Sequence, residues 1–222
     1  MIKYLLLAFA TLVAAAAWAT LIFVGASEGW GRKPLTDGET PEAFIQAARE
    51  QIDSENVGNV ALVLIEQGEV AGHTYASVGE PVDGSSVFQV ASLSKWLTAW
   101  GVMVLVEDGL VDLDAPVSTY LSRWQLPDTS FDNDGVTVRR LLSHTAGLDD
   151  GLGYAGFERR DEVQSLEASL TQAFDASPGR SGVVRVGQEP GSGWAYSGGG
   201  YTLLQLLIEE VSGQGFASFM ET

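Results

Sequence analysis

The chain has no cysteine, two histidines and only twelve lysines and arginines among its 222 residues. Without cysteine there is no disulfide and no thiolate metal site. With only His73 and His144, a multi-histidine metal site is out of reach, and any Ser-His-Asp triad must use one of the two. No metal or other cofactor is expected. Asp and Glu number 29, for a formal net charge of −17. That balance argues against nucleic acid and anionic lipid head groups as partners. Apolar residues at 45% and charged residues at 18% describe an ordinary globular core, with room for one sizeable domain or two small ones.

Charge is also absent from one long stretch. Met1-Ile2-Lys3 precedes Tyr4 to Ala26, which is uncharged and almost wholly apolar. A secretory core runs ~7–15 residues and a spanning helix needs about 20, so the length favours an N-terminal membrane anchor. Small residues at Val24-Gly25-Ala26 suit signal peptidase, so a cleaved signal peptide is the alternative. Either reading of residues 1–26 sends the rest outside the cytoplasm, to the periplasmic or extracellular side of the cell envelope. Residues 27–40, with Gly and Pro, form a linker. The folded region spans 41–222.

Thr40-Pro41 opens a helix as cap and first-turn proline, with Phe44, Ile45, Ala48 and Ile52 on one face. Val60 to Ile65 and Val70 to Val78, joined through Gln67-Gly68-Glu69, predict a hairpin on which His73 is a surface residue. Short helices are expected around 117–121 and 136–142, an amphipathic one near 162–174, and a longer one over 201–211 ended by Ser212-Gly213.

Between Asp83 and Glu107 the only charged residue is Lys95. The run Trp96 to Val106 is apolar on nearly every face, which predicts a helix buried all round. A lysine at the head of such a helix must be paired or must do chemistry. Ser92, three residues earlier, shares its face, whereas Ser94 points away. Ser-x-x-Lys puts a hydroxyl beside an amine that can take its proton. On this segment alone the alternative is Ser92 as an N-cap and Lys95 as a snorkelling residue. Further on, Tyr196 lies among Gly191, Gly193, Gly198, Gly199 and Gly200. Glycines there suggest backbone that approaches something closely. No lysine follows and no suitable strand precedes, so a phosphate loop is a poor reading.

Three segments then meet a known pattern. Phe88-x-x-x-Ser92-x-Ser94-Lys95, Leu141-Leu142-Ser143-His144-Thr145-Ala146-Gly147-Leu148 and Pro190-Gly-x-x-Trp194-x-Tyr196-Ser197-x-x-Gly200-Tyr201-x-Leu203-Leu204 occur in that order. Together they resemble the serine β-lactamase-related superfamily on its class C side, which includes D-alanyl-D-alanine carboxypeptidases and related esterases. The resemblance covers 41–222. It implies Ser92 as the acylated nucleophile, Lys95 as its proton partner and Tyr196 as the general base, with the Ser92 amide as half of an oxyanion hole. It makes His144 structural, holding its loop by hydrogen bonding, and Trp194 and Tyr201 packing residues beside the site.

The same resemblance implies an α/β fold of the α+β type. An antiparallel sheet begun by the hairpin packs with terminal helices beside a mainly helical region. Two departures stand out. Where the family has Asn, two after the tyrosine, this chain has Gly198, which favours an ester substrate over β-lactams and peptides; the substrate ranking is small esters and amides, then D-Ala peptides, then β-lactams. The chain also ends at Thr222, before the late strands and their Lys/His-Thr/Ser-Gly motif, so it reads as a fragment or a truncated product. The leading expectation is a cell-envelope serine hydrolase working through an acyl-enzyme. The alternative is a pocket that binds penicillin- or peptidoglycan-type ligands without turnover, or an inactive fragment.

Overall fold

The computed structural model describes residues 2–150 and 154–221. The chain divides into two units, residues 1–88 and 89–222.

The first unit opens with helix α1 (Ile2–Ser27), which has no acidic residue in its first turn and no basic one in its last. Its Phe9–Ser27 portion is long and apolar enough to cross a membrane, and Phe9, Leu12, Trp18 and Phe23 are exposed. Helix α2 (Pro41–Glu55) starts where the sequence dictates. The Thr40 hydroxyl accepts the Ala43 N–H at 3.2 Å, and proline stands in the first turn, where its missing donor costs nothing. Strands β1 (Val60–Glu66) and β2 (Glu69–Ala76) pair antiparallel, with Val63 opposite His73 and an irregularity between Leu64 and Ile65. Gln67 and Gly68 both take positive φ, 51° and 87°, the geometry that lets a two-residue turn follow the strand twist. The hairpin and α2 pack together, and a Cβ on Gly72 would lie 2.7 Å from Ile45 Cγ1, so the glycine permits the close approach. His73 sits on this hairpin beside Tyr75.

The second unit is built around α6 (Gly198–Ser212). Tyr201, Leu203, Leu204, Leu206, Leu207 and Ile208 are all buried. Fully burying one such aliphatic side chain is worth about 1.5–3 kcal/mol, so this helix anchors the unit. Ser197 caps it by accepting the Gly200 N–H at 2.8 Å, and Gly213 ends it in the left-handed conformation at φ 70°. Helices α3 (Ser94–Glu107), α5 (Leu166–Thr171) and α7 (Phe216–Met220) pack on it, as does the short α4 (Val138–Leu142). Lys95 approaches the Tyr201 ring, while a Cβ on Gly101 would lie 3.2 Å from Ile208. Helices α3 and α6 therefore run parallel, with both N-termini at one end.

Glu210 fastens the segment after a 3₁₀ turn (Val117–Tyr120) to α6. Its carboxylate accepts the Ser122 N–H at 2.9 Å, the Arg123 N–H at 3.0 Å and the Ser122 hydroxyl. The helix expected over 162–174 shortens to α5, because Ser165 caps it and Arg160–Glu162 forms a separate 3₁₀ turn.

Two expectations are corrected. Helix α3 is not buried all round. Thr98, Gly101, Val102 and Leu105 face the core, but Trp96 and Trp100 are 76% and 74% exposed, with Leu97 and Met103 open beside them. An all-apolar composition records a demand for cover, not its supply, and among the described residues of this unit α6 and α7 cover one face only. Nor do Ser92 and Lys95 share one regular helix, since Ser92 lies in a 3₁₀ turn (Ala91–Leu93) ahead of α3, although the spacing still brings them together.

Candidate active site

Ser92, Lys95 and Tyr196 come together at the shared N-terminal end of α3 and α6. Ser92 Oγ lies 2.7 Å from Tyr196 Oη, and Lys95 Nζ donates to Ser92 Oγ at 3.3 Å. Because Oγ accepts from the ammonium, its own proton is free to point at the phenolic oxygen. Neither side chain has its alternative role. The residue at the α3 cap position is Leu93, with no side-chain capping bond, so Ser92 does not cap the helix. Lys95 is half-buried, its ammonium 5.0 Å from the Tyr196 ring centre and 5.6 Å from that of Tyr201. Ala91, just before the serine, takes φ 44°, a strained conformation for a residue with a Cβ, and this turn presents Ser92 at the surface.

Tyr196 owes its position to the loop after α4. Carbonyls of that loop receive a series of N–H groups from the later segment. Gly147 takes those of Gly187 and Gln188, Thr145 takes Gly191, and His144 takes Ala195 at 2.8 Å. His144 Nδ1 then accepts the Ser197 N–H at 3.2 Å, and its ring lies against Tyr196 at 4.5 Å. Burial and the neighbouring Lys95 charge hold the imidazole below its ordinary pKa, against the pull of Asp150, so Nδ1 stays an acceptor at neutral pH. His144 itself is at φ 58°, and Gly147 at φ 76° has Gln188 O 2.3 Å from the place of a Cβ. The second motif is thus the cradle of the third, and His144 supports the tyrosine rather than the serine.

Trp194 departs from the packing role, being 67% exposed and edge-on to His144. Tyr201 keeps it, buried with its hydroxyl donating to Leu142 O at 3.0 Å. Ser94, read as pointing away, lines the same cavity as Lys95.

The sequence reading missed Asp150. It is 1% exposed, and its carboxylate accepts the Ser197 hydroxyl at 2.5 Å, the Gly199 N–H at 2.9 Å and the Tyr154 hydroxyl at 2.8 Å. A buried charge at a helix N-terminus with three donors is well compensated. The only signal in the sequence was an acidic pair, Asp149-Asp150, directly after the apolar end of the second motif. Burial pushes the Tyr196 phenol up, but hydrogen bonds from Lys95 and Ser92 and the lysine charge outweigh it. The net pKa is below that of an ordinary tyrosine, with Asp150 opposing. A cavity of about 300 Å³ is lined by Ser92, Lys95, Thr98, Tyr154, Gly198 and Gln205, among others.

The site thus holds a serine oxygen within hydrogen-bond reach of a tyrosine and a lysine. The model of the family described as Beta-lactamase matches residues 44–222. The chain belongs to this family. Among curated members, it is 33% identical over 183 residues to Penicillin-binding protein 4* of Bacillus subtilis (strain 168), covering 80% of this chain and 38% of that protein. It is 30% identical over 185 residues to Esterase EstB of Burkholderia gladioli, covering 80% and 46%. Among solved structures, the D-amino acid amidase of Ochrobactrum anthropi SV3 superposes with a TM-score of 0.62 at 26% identity, covering 80% and 46%. The β-lactamase-type fold is therefore established, and the chain spans less than half the length of the curated relatives it matches.

Proposed function

We propose that the protein is a serine hydrolase that forms an acyl-enzyme on Ser92. The observation that carries this reading is the simultaneous approach of Tyr196 Oη and Lys95 Nζ to one serine oxygen. Tyr196, its phenolate favoured by Lys95, removes the hydroxyl proton as Oγ attacks the substrate carbonyl carbon. The oxygen that gains charge faces the N-terminal ends of α3 and α6, whose dipoles favour an anion, with the Ser92 N–H as one donor. The C–O or C–N bond then breaks, and Tyr196 returns its proton to the leaving group. Water attacks the ester, giving up a proton to the same phenolate, the Ser92 Oγ–C bond breaks, and Tyr196 returns that proton to Oγ, restoring the serine and releasing the carboxylic acid.

The related esterase and amidase support small esters and amides as first-ranked substrates, followed by D-Ala peptides and β-lactams. We assign residues 1–26 to an anchor or signal segment, 27–40 to a linker and 41–222 to the hydrolase region. This organisation fits a cell-envelope enzyme held at the outer face of the cytoplasmic membrane, as the exposed apolar α1 favours. A second reading, binding without turnover, is favoured by Gly198 at the family's Asn position. Hydrolysis of a 4-nitrophenyl ester separates them: Ser92→Ala abolishes turnover with thermal stability retained. Undiminished hydrolysis by Ser92→Ala contradicts the assignment.

A further inference from the structure

Gly198 opens α6 two residues after Tyr196 and lines the cavity that holds Ser92. A Cβ built on it would stand 2.0 Å from Cε2 and 2.3 Å from Cδ2 of Tyr154, far inside any real contact. The space of a side chain at 198 is therefore filled by the Tyr154 ring, which arrives from a different segment. That ring is fixed. Its hydroxyl donates to buried Asp150, and its neighbour Ala155 donates N–H to Asp175 O at 2.7 Å. Burial and the Asp150 charge keep the phenol protonated, so the hydroxyl remains committed to that acceptor. The other lining aromatic, Tyr201, spends its hydroxyl on Leu142 O.

Against Gly198 the wall is thus the aromatic carbon of Tyr154, whose hydroxyl is already committed to Asp150. The cavity's other polar lining lies away from that ring, with Ser94 and Lys95 at the head of α3, Thr98 one turn on, Thr202 and Gln205 on α6, and Ser169 and Asp175. An amide carbonyl placed against the ring loses water without gaining a partner, while an unfunctionalised acyl chain gains contact area.

Resting on the serine-hydrolase reading, we propose that Tyr154 sets the acyl specificity of this site. Its ring, standing in for a side chain at 198, selects acyl groups without an N-acyl amide beside the scissile carbonyl and disfavours acylamino ones.

The test uses two esters with one leaving group, 4-nitrophenyl propanoate and the 4-nitrophenyl ester of N-acetyl-alanine, and compares the ratio of their kcat/KM across variants. Tyr154→Phe keeps the ring and holds the wild-type ratio within about twofold, whatever happens to both rates. Tyr154→Ala with Gly198→Asn replaces the ring by an amide donor. It moves the ratio toward the N-acetyl ester by about tenfold or more, the worth of one hydrogen bond to the carbonyl. An unmoved ratio in that double variant overturns the proposal, and so does an equal shift in Tyr154→Phe, which would assign the effect to the hydroxyl. Thermal unfolding of each variant establishes that it is folded. Gly198→Ala, destabilising with Tyr154 present and tolerated in Tyr154→Ala, reads the same steric pairing without any assay of activity. If the wild-type protein turns over neither ester, the hydrolase reading is what fails. The ratio is then read as Kd for the two esters by calorimetry, with the same expected shift.

Discussion

Replacing Asp150 by alanine isolates the part of the site that no motif announced. Its carboxylate receives the Ser197 hydroxyl, the Gly199 N–H and the Tyr154 hydroxyl, the first two fully buried. A buried donor left without an acceptor costs about 1–3 kcal/mol, so three would approach ~9 if nothing relaxed. Two effects reduce that sum. The alanine also removes a buried charge whose desolvation costs several kcal/mol, and the half-buried Tyr154 hydroxyl regains water. The expected net loss is about 3–5 kcal/mol, the usual result of removing one member of a buried charged network. For a domain of this size it lowers Tm by roughly 6–20 °C. Thermal unfolding followed by tryptophan fluorescence reads it, since Trp96, Trp100, Trp124 and Trp194 all lie in residues 89–222. The double-mutant cycle with Tyr154→Phe should show a coupling of about 0.5–3 kcal/mol, because the two side chains share a hydrogen bond. A loss below about 1 kcal/mol, or additivity in the cycle, would refute the assignment of Asp150 as the anchor of the tyrosine loop.

Other outcomes follow from the same geometry. Asp150→Asn removes the negative charge that opposes the Tyr196 phenolate. The tyrosine pKa falls further and the acidic limb of kcat/KM moves to lower pH, an unmoved limb contradicting the charge argument. Glu210 is held below its ordinary pKa: burial raises it, but bonds from Ser122 and Arg123 and the arginine charge prevail. A depressed folded pKa gives stability that is present above the unfolded value of about 4.3 and lost as pH falls through the folded one. Glu210→Gln should therefore flatten the acid side of the Tm-against-pH curve and lower Tm at neutral pH. Leu204→Ala, a fully buried truncation in α6, should cost about 2–5 kcal/mol in unfolding experiments.

Local chemistry made much of this fold legible. Thr40-Pro41 cap and start α2, Gln67-Gly68 turn the hairpin, and Gly213 stops α6, each because a short-range rule applies whatever surrounds it. The meeting of Ser92 and Lys95 followed from one helical turn of spacing. Tyr196, 104 residues from Ser92, was legible only through resemblance, since no periodicity encodes a long-range contact. Asp150 and Tyr154 escaped because their significance is burial and enclosure, which depend on what packs over them. Gly198 shows the difference plainly. In the sequence it reads as a missing amide; in the structure it is the vacancy that Tyr154 fills. The apolar run of α3 misled for the same reason, since Trp96 and Trp100 carry no mark of which neighbour covers them.

What joins these observations is a serine whose oxygen accepts from a lysine and faces a tyrosine made more acidic by that lysine, on a loop anchored by Asp150. If this arrangement activates Ser92, a fluorophosphonate should phosphonylate the protein once. Intact mass followed by peptide mapping should place the adduct on Ser92, with none in Ser92→Ala and a slowed reaction in Tyr196→Phe. A folded protein that takes no adduct, or takes it at another residue, contradicts the account at its centre.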